Sequence, residues 1–310
     1  MIRPVPAAAR QGVTAAGASL SRAWRKGVRE VAFYAAVLLV LGVVLVPYLW
    51  MVSGSFKTTL ELQSADVTRP GLEPRWIPRT FTWENYARVN RTVPMLDYFR
   101  NSLIISTGTM LAATTVAFLA AYGLSRFPFP GRRAFVGSVL ATQMLPGIVF
   151  LIPYFILFTW IDLHLGIRLR NTYPGLIFTY TSFALPFAIL MLRGYLDAIP
   201  TELDEQARLD GCSTLATLVR VILPVARPAL AAVAIYAFIM AWNEILFASV
   251  LTGTETRTVA VGLREYITAQ EARWSGMMAA CVVVTLPVVV LFSLIQRQIV
   301  EGLVTGAVRG

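Results

Sequence analysis

The chain has 310 residues, of which 56% are hydrophobic and 14% charged, and it carries a net charge of +10. Soluble domains are about 45–50% apolar and about 25% charged, so this balance, with a mean hydropathy of +0.64, excludes a soluble fold and predicts an all-α membrane protein. Two cysteines and one histidine exclude a disulfide framework and a Cys/His zinc cluster. In so apolar a chain, the positive charge indicates loops that meet membrane lipid and not nucleic acid.

The first 50 residues divide into a basic leader and an apolar run. Residues 1–30 hold six basic residues among many small ones, which predicts a disordered leader. The run at 31–50 is 20 residues long and ends in Pro-Tyr-Leu-Trp. A cleaved signal peptide would have an apolar region of about 7–15 residues followed by small residues, so we interpret 31–50 as an uncleaved membrane span.

Six segments are long and apolar enough to cross a membrane, which takes about 20 residues. Five contain no charged residue, and the fifth in chain order contains only Glu244. The predicted spans are residues 31–50, 102–124, 134–161, 171–192, 228–251 and 275–296. Six spans put both termini on one side, where the leader, two loops and the tail (residues 297–310) hold 15 Lys and Arg against 12 on the other side. The positive-inside rule therefore predicts cytoplasmic termini.

The side-chain inventory limits the chemistry of this chain. It contains no Gly-x-x-x-x-Gly-Lys-Ser/Thr sequence, the loop with which many ATPases hold nucleotide phosphates. Its spans also lack clusters of His, Cys or carboxylate side chains, which a membrane-embedded enzyme or a metal site would need. We therefore predict no catalytic residue, no metal site and no cofactor bound by this chain.

Five polar side chains within the spans are candidates for lining a path for a polar solute. Glu244 is an intramembrane carboxylate, which usually faces a cavity or a partner, and Asn243 precedes it. Gln143, Tyr154 and Tyr180 offer planar hydrogen-bonding groups or aromatic faces. A structural role, in packing or at a helix end, is the alternative for each of the five.

The polar segment between the fourth and fifth spans, residues 201–224, has the pattern of two short helices. Thr201 and Asp204 have the spacing of a capping box, which predicts a helix that starts at Glu202. Gly211 is a natural stop for it. This first helix would be acidic and exposed on the cytoplasmic side.

Ser213 is placed to cap the second helix, and Pro224 and Pro228 are predicted to end it. Its apolar stripe, which would lie along the bundle, consists of Leu215, Leu218, Val219 and Ile222. A short exposed helix tied at both ends to membrane spans can dock on a partner and transmit motion. The alternative is an ordinary loop that happens to be helical.

Residues 205–224 resemble the EAA loop of ATP-binding-cassette importer permeases. The family pattern is Glu-Ala-Ala, three residues, Gly, nine residues, Ile, one residue, Leu-Pro. This chain matches its spacing throughout and departs from it in Gln206 for the first Ala and Val221 for Ile. The resemblance is to the carbohydrate-uptake subfamily and runs from about residue 31 to residue 310. Supporting stretches are residues 55–58, 85–86, 101–102, 121–127, 242–244 and 301–310.

The resemblance implies a permease subunit of an ATP-driven, binding-protein-dependent sugar importer in the cytoplasmic membrane of a bacterium or archaeon. The implied partners are a second permease subunit, two copies of a cytoplasmic ATPase subunit that bind ATP and Mg²⁺, and an external binding protein or lipoprotein that delivers a disaccharide- or oligosaccharide-type sugar. The implied coupling residues are Glu205, Gln206, Ala207, Asp210, Gly211, Leu223 and Pro224, and the implied ATPase-contacting tail residues are Gly302, Thr305 and Gly306.

A self-sufficient secondary transporter or channel for a small polar solute is the alternative function. Such a protein would need ionisable residues in several spans and weak inverted-repeat symmetry. Only Glu244 meets the first requirement, and the two halves of the sequence show no repeat. The importer explains both the EAA-like loop and the missing nucleotide loop, although the sequence leaves the particular sugar open.

Overall fold

The computed structural model of the protein describes residues 7–64, 75–267 and 273–307. A 3₁₀ turn occupies Gly147–Phe150, and a π-helical turn occupies Leu218–Ile222. The α-helices of the described residues are α1 (Ala7–Ser55), α2 (Thr59–Gln63), α3 (Glu84–Thr92), α4 (Met95–Arg126), α5 (Arg132–Thr142), α6 (Leu151–Leu165), α7 (Tyr173–Asp197), α8 (Glu202–Leu209), α9 (Thr214–Thr217), α10 (Leu223–Trp242), α11 (Leu246–Leu251), α12 (Val259–Arg264) and α13 (Trp274–Ala307).

Six helical segments of the described chain are long and apolar enough to span a membrane. Their number and order confirm the predicted spans, while several boundaries differ. The segments are Lys26–Ser55, Met95–Arg126, Gly147–Leu165, Tyr173–Asp197, Thr214–Trp242 and Trp274–Leu294.

The third span is shorter than predicted because the helix is interrupted. α5 ends at Thr142 and the next helical turn starts at Gly147, so the span is Gly147–Leu165 and not residues 134–161. Pro146 has extended backbone angles at this break. Proline has no N–H to donate and disfavours helical backbone in the residue before it, which accounts for the interruption.

The prediction that Pro224 and Pro228 end the second helix of the loop is wrong. The helix is continuous over Thr214–Trp242. In the π-helical turn, the N–H of Leu223 donates to the carbonyl of Leu218, five residues back. This wider turn precedes Pro224, which has no N–H of its own, and loosens the backbone where its ring would otherwise clash.

The two ends of the chain are more helical than the sequence analysis expected. α1 begins at Ala7 and thus covers residues 7–30, where we expected disorder; alanine, the strongest helix former, is frequent there. α13 continues to Ala307 and so into the predicted tail, residues 297–310. Residues 1–6 and 308–310 lie outside the described residues.

Small residues on three helices bring the centre of the bundle together. Ala113, Ala117 and Ala121 are fully buried on α4, one turn apart from one another. Ala184 and Ala188 are fully buried on α7, and α10 buries further alanines against the same two helices. Small side chains allow close approach of helices, which is the usual basis of packing within membranes. α1 packs on α13 at the edge of this bundle and exposes its apolar side chains, as a helix facing lipid would.

Side-chain amides join the elements at the end of the bundle where α4 begins. Asn101 donates to the carbonyls of Glu255 and Arg257 at 2.9 and 3.0 Å, and Ser102 accepts the N–H of Val259 at 2.9 Å. Asn85 likewise donates to two carbonyls at the end of α1. The asparagines belong to stretches that carried the family resemblance, so part of that resemblance reflects how the connections at this end are held on the bundle.

Tyr266→Phe is expected to destabilise the protein by about 1 kcal/mol, the typical value of one buried hydrogen bond. The hydroxyl of Tyr266 donates to the carbonyl of Val89 at 2.8 Å, and the side chain is buried. The loss can be measured as a lower Tm of the detergent-purified protein at pH 8.

The same substitution has a second consequence at alkaline pH. Burial raises the pKa of Tyr266 from 10.0 to about 12, so the folded state favours the neutral hydroxyl. The contribution of the neutral Tyr266 hydroxyl to the free energy of unfolding is complete below pH 10 and is lost as the pH rises through 12. We expect the Tm of Tyr266→Phe to fall less steeply than that of the wild type between pH 10 and pH 12, and equal slopes would contradict this assignment.

Candidate functional site

The helical loop, residues 201–224, lies at the end of the bundle where α4 and α7 finish, which we call the α8 end. α8 begins at Glu202 as predicted, but the predicted capping box is wrong. Thr201 has helical backbone angles and its side chain caps nothing; its carbonyl accepts the N–H groups of Asp204 and Glu205 at 3.0 and 3.2 Å. The carboxylate of Asp204 is instead occupied by partners inside the bundle.

Two side chains of α4 bind Asp204. The Tyr122 hydroxyl donates to Oδ1 at 2.7 Å, and Nε of Arg126 donates to Oδ2 at 2.9 Å. The guanidinium of Arg126 also donates to the carbonyls of Leu196 and Ile199 at 3.1 and 3.0 Å. The last carbonyls of a helix have no partner within it, so Arg126 satisfies the end of α7 while it holds the first turn of α8.

Gly211 turns the chain sharply after α8. Its φ is +81°, in the left-handed region. The N–H of Cys212 donates to the carbonyl of Ala207 at 2.9 Å, and the N–H of Gly211 donates to that of Arg208 at 3.0 Å. This pair of bonds is the Schellman motif, so the predicted glycine stop is confirmed.

Gly211→Val is expected to loosen this turn without a steric clash. A Cβ at residue 211 would have no atom of the described residues within 4 Å, whereas a side chain in left-handed backbone costs about 1–2 kcal/mol. We expect faster cleavage of the loop in limited proteolysis of the detergent-purified protein. Gly211→Asn is the matched control, because asparagine tolerates this conformation; equal cleavage rates of the two variants would contradict the explanation.

The second helix begins as predicted but presents its apolar residues differently. The Ser213 hydroxyl accepts a backbone N–H of α9 at 3.3 Å, which confirms the cap. Of the predicted stripe, Leu218 and Ile222 are buried, while Leu215 and Val219 are exposed. The stripe is therefore divided between the bundle and the outside.

Three exposed apolar side chains mark the surface of the loop: Leu209 is 88% exposed, Leu215 is 66% exposed and Val219 is 51% exposed. We call these three residues the loop surface. Exposed apolar patches rimmed by polar residues are typical of protein interaction sites. Of the predicted coupling residues, Ala207 is buried, Leu223 is half-buried, and the exposed ones are Glu205, Gln206, Asp210, Gly211 and Pro224.

Three of the five predicted path residues lie around one core cluster. Tyr154 is half-buried and its hydroxyl is 2.5 Å from that of Ser182. Tyr180 is fully buried and shares a cluster with Phe247, whose ring lies 5.8 Å from that of Tyr154. The carboxylate of Glu244 accepts the N–H of Phe247 at 2.9 Å and that of the following residue at 3.0 Å.

Glu244 thus connects the end of α10 to the start of α11 by hydrogen bonds. This is the structural role that the sequence analysis left open for it. The other two path residues, Gln143 and Asn243, are exposed and lie at the ends of α5 and α10. The predicted tail residues Gly302, Thr305 and Gly306 fall within α13, and the contacts of their side chains lie outside what the structure describes.

Sequence reasoning assigned no role to Tyr122 or Arg126 and placed Asp204 in a cap. The available signal was the position of the two α4 residues: both lie at the end of the second predicted span, within the family-like stretch 121–127. A charged side chain at a span end is usually interpreted as a lipid-interface anchor, so its true partner could not be identified without the fold.

The profile of a family described as "Binding-protein-dependent transport system inner membrane component" matches residues 113–304, which is more than half of the chain and includes the entire loop. The chain belongs to this family. Members are membrane permease components without an ATPase domain. The chain is accordingly a multi-pass inner-membrane permease, and it is the permease subunit of a binding-protein-dependent ABC sugar importer.

Several curated relatives match nearly the whole chain. It is 35% identical to the inner membrane ABC transporter permease protein YcjP of Escherichia coli, over 92% of this chain and 99% of YcjP. It is 35% identical to the trehalose transport system permease protein SugB of Mycobacterium tuberculosis, over 92% and 100%. It is 36% identical to the trehalose/maltose transport system permease protein MalG of Thermococcus litoralis, over 88% and 97%.

A solved structure shows the same fold. A chain of a bacterial ABC transporter that imports the acidic polysaccharide alginate superimposes with a TM-score of 0.71 at 22% identity, covering 87% of this chain and 96% of that chain. The all-helical arrangement described above is therefore that of a known ABC transporter permease.

Proposed function

We propose that this subunit forms one half of a pore for a disaccharide- or oligosaccharide-type sugar, with a second permease subunit as the other half. Two copies of a separate cytoplasmic ATPase drive it, and an external binding protein or lipoprotein delivers the sugar. The observation that carries the proposal is the loop surface, three exposed apolar side chains on a helical segment that is tied at both ends to membrane spans.

The loop is built to dock and to transmit force. α8 is hydrogen-bonded to Arg126 of α4, which also binds the end of α7, and α9 continues through the π turn into α10. A partner bound to Leu209, Leu215 and Val219 would therefore pull on three spans at once. With the α8 end in the cytoplasm, closure of the ATPase dimer on ATP and Mg²⁺ would turn the bundle outward-facing by rigid-body motion, and hydrolysis would reset it. The tail around Gly302, Thr305 and Gly306 would contact the ATPase from the end of α13.

Two breaks in the helices, one before Gly147 and one after Trp242, support a path beside them. Irregular backbone at membrane depth occurs where it is buried in protein or lines a water-filled cavity. The two interruptions are neighbours, since a Cβ added to Gly147 would lie 3.9 Å from Phe247. Exposed Gln143 and Asn243 and half-buried Tyr154 and Glu244 supply hydrogen-bonding groups there; Tyr180 lies behind them.

The substrate class rests on the relatives. The names of three relatives that match over most of the chain specify transport of trehalose, of trehalose and maltose, and of diacetylchitobiose, all of which are disaccharides. At about 35% identity they support the class of sugar for this chain and not one particular member.

Affinity purification of the tagged chain from its native host in mild detergent, with mass spectrometry of the co-purifying chains, tests this proposal. We expect a second permease and an ATPase that carries a nucleotide-binding loop. Uptake of radiolabelled trehalose, maltose and N,N′-diacetylchitobiose by cells with and without the gene then tests the substrate class. Recovery of this chain alone, under conditions that keep other membrane complexes intact, would overturn the proposal in favour of a self-sufficient transporter.

A further inference from the structure

We propose that Arg126 and Asp204 form a clamp that makes α8 move as one body with α4 and α7, and that both residues are positioning residues for transport. This inference rests on the proposed function, since it takes α8 as the helix that the ATPase moves. It goes beyond it by naming the contact through which the movement enters the membrane bundle.

The burial of this ion pair is the first argument. The side chains of Arg126 and Asp204 are 5% and 6% exposed, with 2.9 Å between Nε and Oδ2. They lie next to an apolar cluster that includes Tyr122, Leu196 and Ile199. Removing two charges from water costs as much as or more than their attraction returns, so a buried ion pair is poorly explained as a source of stability. A requirement for fixed geometry explains it better.

The shape of the guanidinium is the second argument. Its three nitrogens all donate: Nε binds Asp204, one terminal nitrogen binds the carbonyl of Leu196, and the other binds that of Ile199. Arginine holds such partners in a rigid planar fork, which the single ammonium group of lysine cannot reproduce. One side chain of α4 therefore holds the last turn of α7, the second residue after that helix and the first turn of α8.

α4 offers a direct route from this clamp to the opposite end of the bundle. It is a single helix from Met95 to Arg126. Near its other end, Asn101 and Ser102 bind the backbone of the α11–α12 connection, residues 252–258, and of Val259 next to it. A displacement of α8 would thus reach this connection through one continuous helix with hydrogen-bonded contacts at both ends.

A second ion pair at the α8 end supplies the control. Arg193 and Asp197 are 3.4 Å apart, but both belong to α7, one turn from each other, and their side chains are 25% and 42% exposed. Because both residues belong to α7, this ion pair does not connect one helix to another. Its loss therefore cannot interrupt the transmission of movement between helices. Asp197→Asn and Asp204→Asn make the same chemical change on the same side of the protein.

Hydrogen–deuterium exchange of the purified native complex can test the clamp without knowledge of the sugar. Exchange is followed by mass spectrometry in peptides of α8 and of residues 252–258, with and without ATP plus vanadate. The complexes compared contain the wild-type chain, Asp204→Asn, Arg126→Lys or Asp197→Asn. Expression level and the amount of co-purified ATPase are measured for each.

We expect ATP plus vanadate to change exchange in both regions for the wild type and Asp197→Asn. In Asp204→Asn and Arg126→Lys, the α8 peptides should still respond, while the response of residues 252–258 falls on the order of tenfold, within the usual range of coupling between distant sites. A merely structural role would not separate the two regions, because it would reduce ATPase co-purification and both responses together.

A full response of residues 252–258 in Asp204→Asn would overturn the inference and leave the proposed function intact. If Asp204→Asn fails to assemble, Arg126→Lys, which retains the positive charge, decides by the same criterion. A wild-type preparation that contains no ATPase would contradict the proposed function itself, and with it this inference.

Discussion

The double variant Leu209→Asp with Leu215→Asp is expected to separate this permease from its ATPase while leaving the permease folded. Both side chains are largely exposed, and exposed substitutions usually change folding stability by less than about 0.5 kcal/mol. A buried aspartate at the centre of an interface removes apolar contact and introduces an unpaired charge. We expect each substitution to cost about 2 kcal/mol of binding free energy, about 30-fold in affinity, as is usual for interface hot spots.

The measurement is the ratio of ATPase to permease after affinity purification, with the membrane level of the permease as the reference. Leu60→Asp is the matched control, because Leu60 is 77% exposed on α2, distant along the chain from the loop surface. We expect its ratio to equal that of the wild type. An unchanged ratio in the double variant would contradict the assignment of the loop as the docking site.

Gly175→Ala is expected to give the largest loss of stability of any single methyl group added to this chain's described glycines. A Cβ at this position would lie 1.9 Å from the carbonyl oxygen and 2.8 Å from the carbonyl carbon of Leu169. These are backbone atoms, so no side-chain rotation can relieve the clash, and the first turn of α7 must shift. We expect a loss of about 3 kcal/mol, the upper part of the range for overpacking, measured as a lower Tm in detergent.

Gly194→Ala on the same helix is the control. Within the part of the chain that the structure describes, a Cβ there would have no atom within 4 Å, so the added methyl group removes only the conformational freedom of glycine. We expect a gain of about 0.5–1 kcal/mol, the usual difference between alanine and glycine within a helix. Similar Tm values for the two variants would show that the start of α7 tolerates displacement and would contradict the close approach to Leu169.

The loop, residues 201–224, shows which structural features local sequence patterns can predict. The cap at Ser213 and the stop at Gly211 were identified from sequence because each depends on the backbone of its own few residues. The role of Asp204 was not identified from the sequence, although Thr201 and Asp204 have the spacing of a capping box. A carboxylate can cap a helix or bind a guanidinium, and Arg126, which decides between them, is 78 residues away in the chain.

The predicted path residues show the same limit of prediction from local sequence. Glu244 stood out from the sequence as the one charge within a span, yet its hydrogen bonds to the start of α11 became visible only with the break after α10. The break before Gly147 lies at Pro146, which has no N–H to donate and disfavours helical backbone in the residue before it. Hydrophobicity alone reveals neither break, because no charged residue divides residues 134–161 and Glu244 is the one charged residue of residues 228–251.

The sequence by itself determined that this is a six-span membrane protein, that it carries no nucleotide-binding loop, and that the segment between its fourth and fifth spans resembles that of importer permeases. These properties follow from composition, run length and local spacing, each of which a short stretch of chain contains in full. Only the tertiary structure decided which face of α9 is exposed and that Arg126 joins α4, α7 and α8. Those features depend on which distant residues meet, because the free energy of a buried charge or an apolar face is set by its neighbours in space and not by its neighbours along the chain.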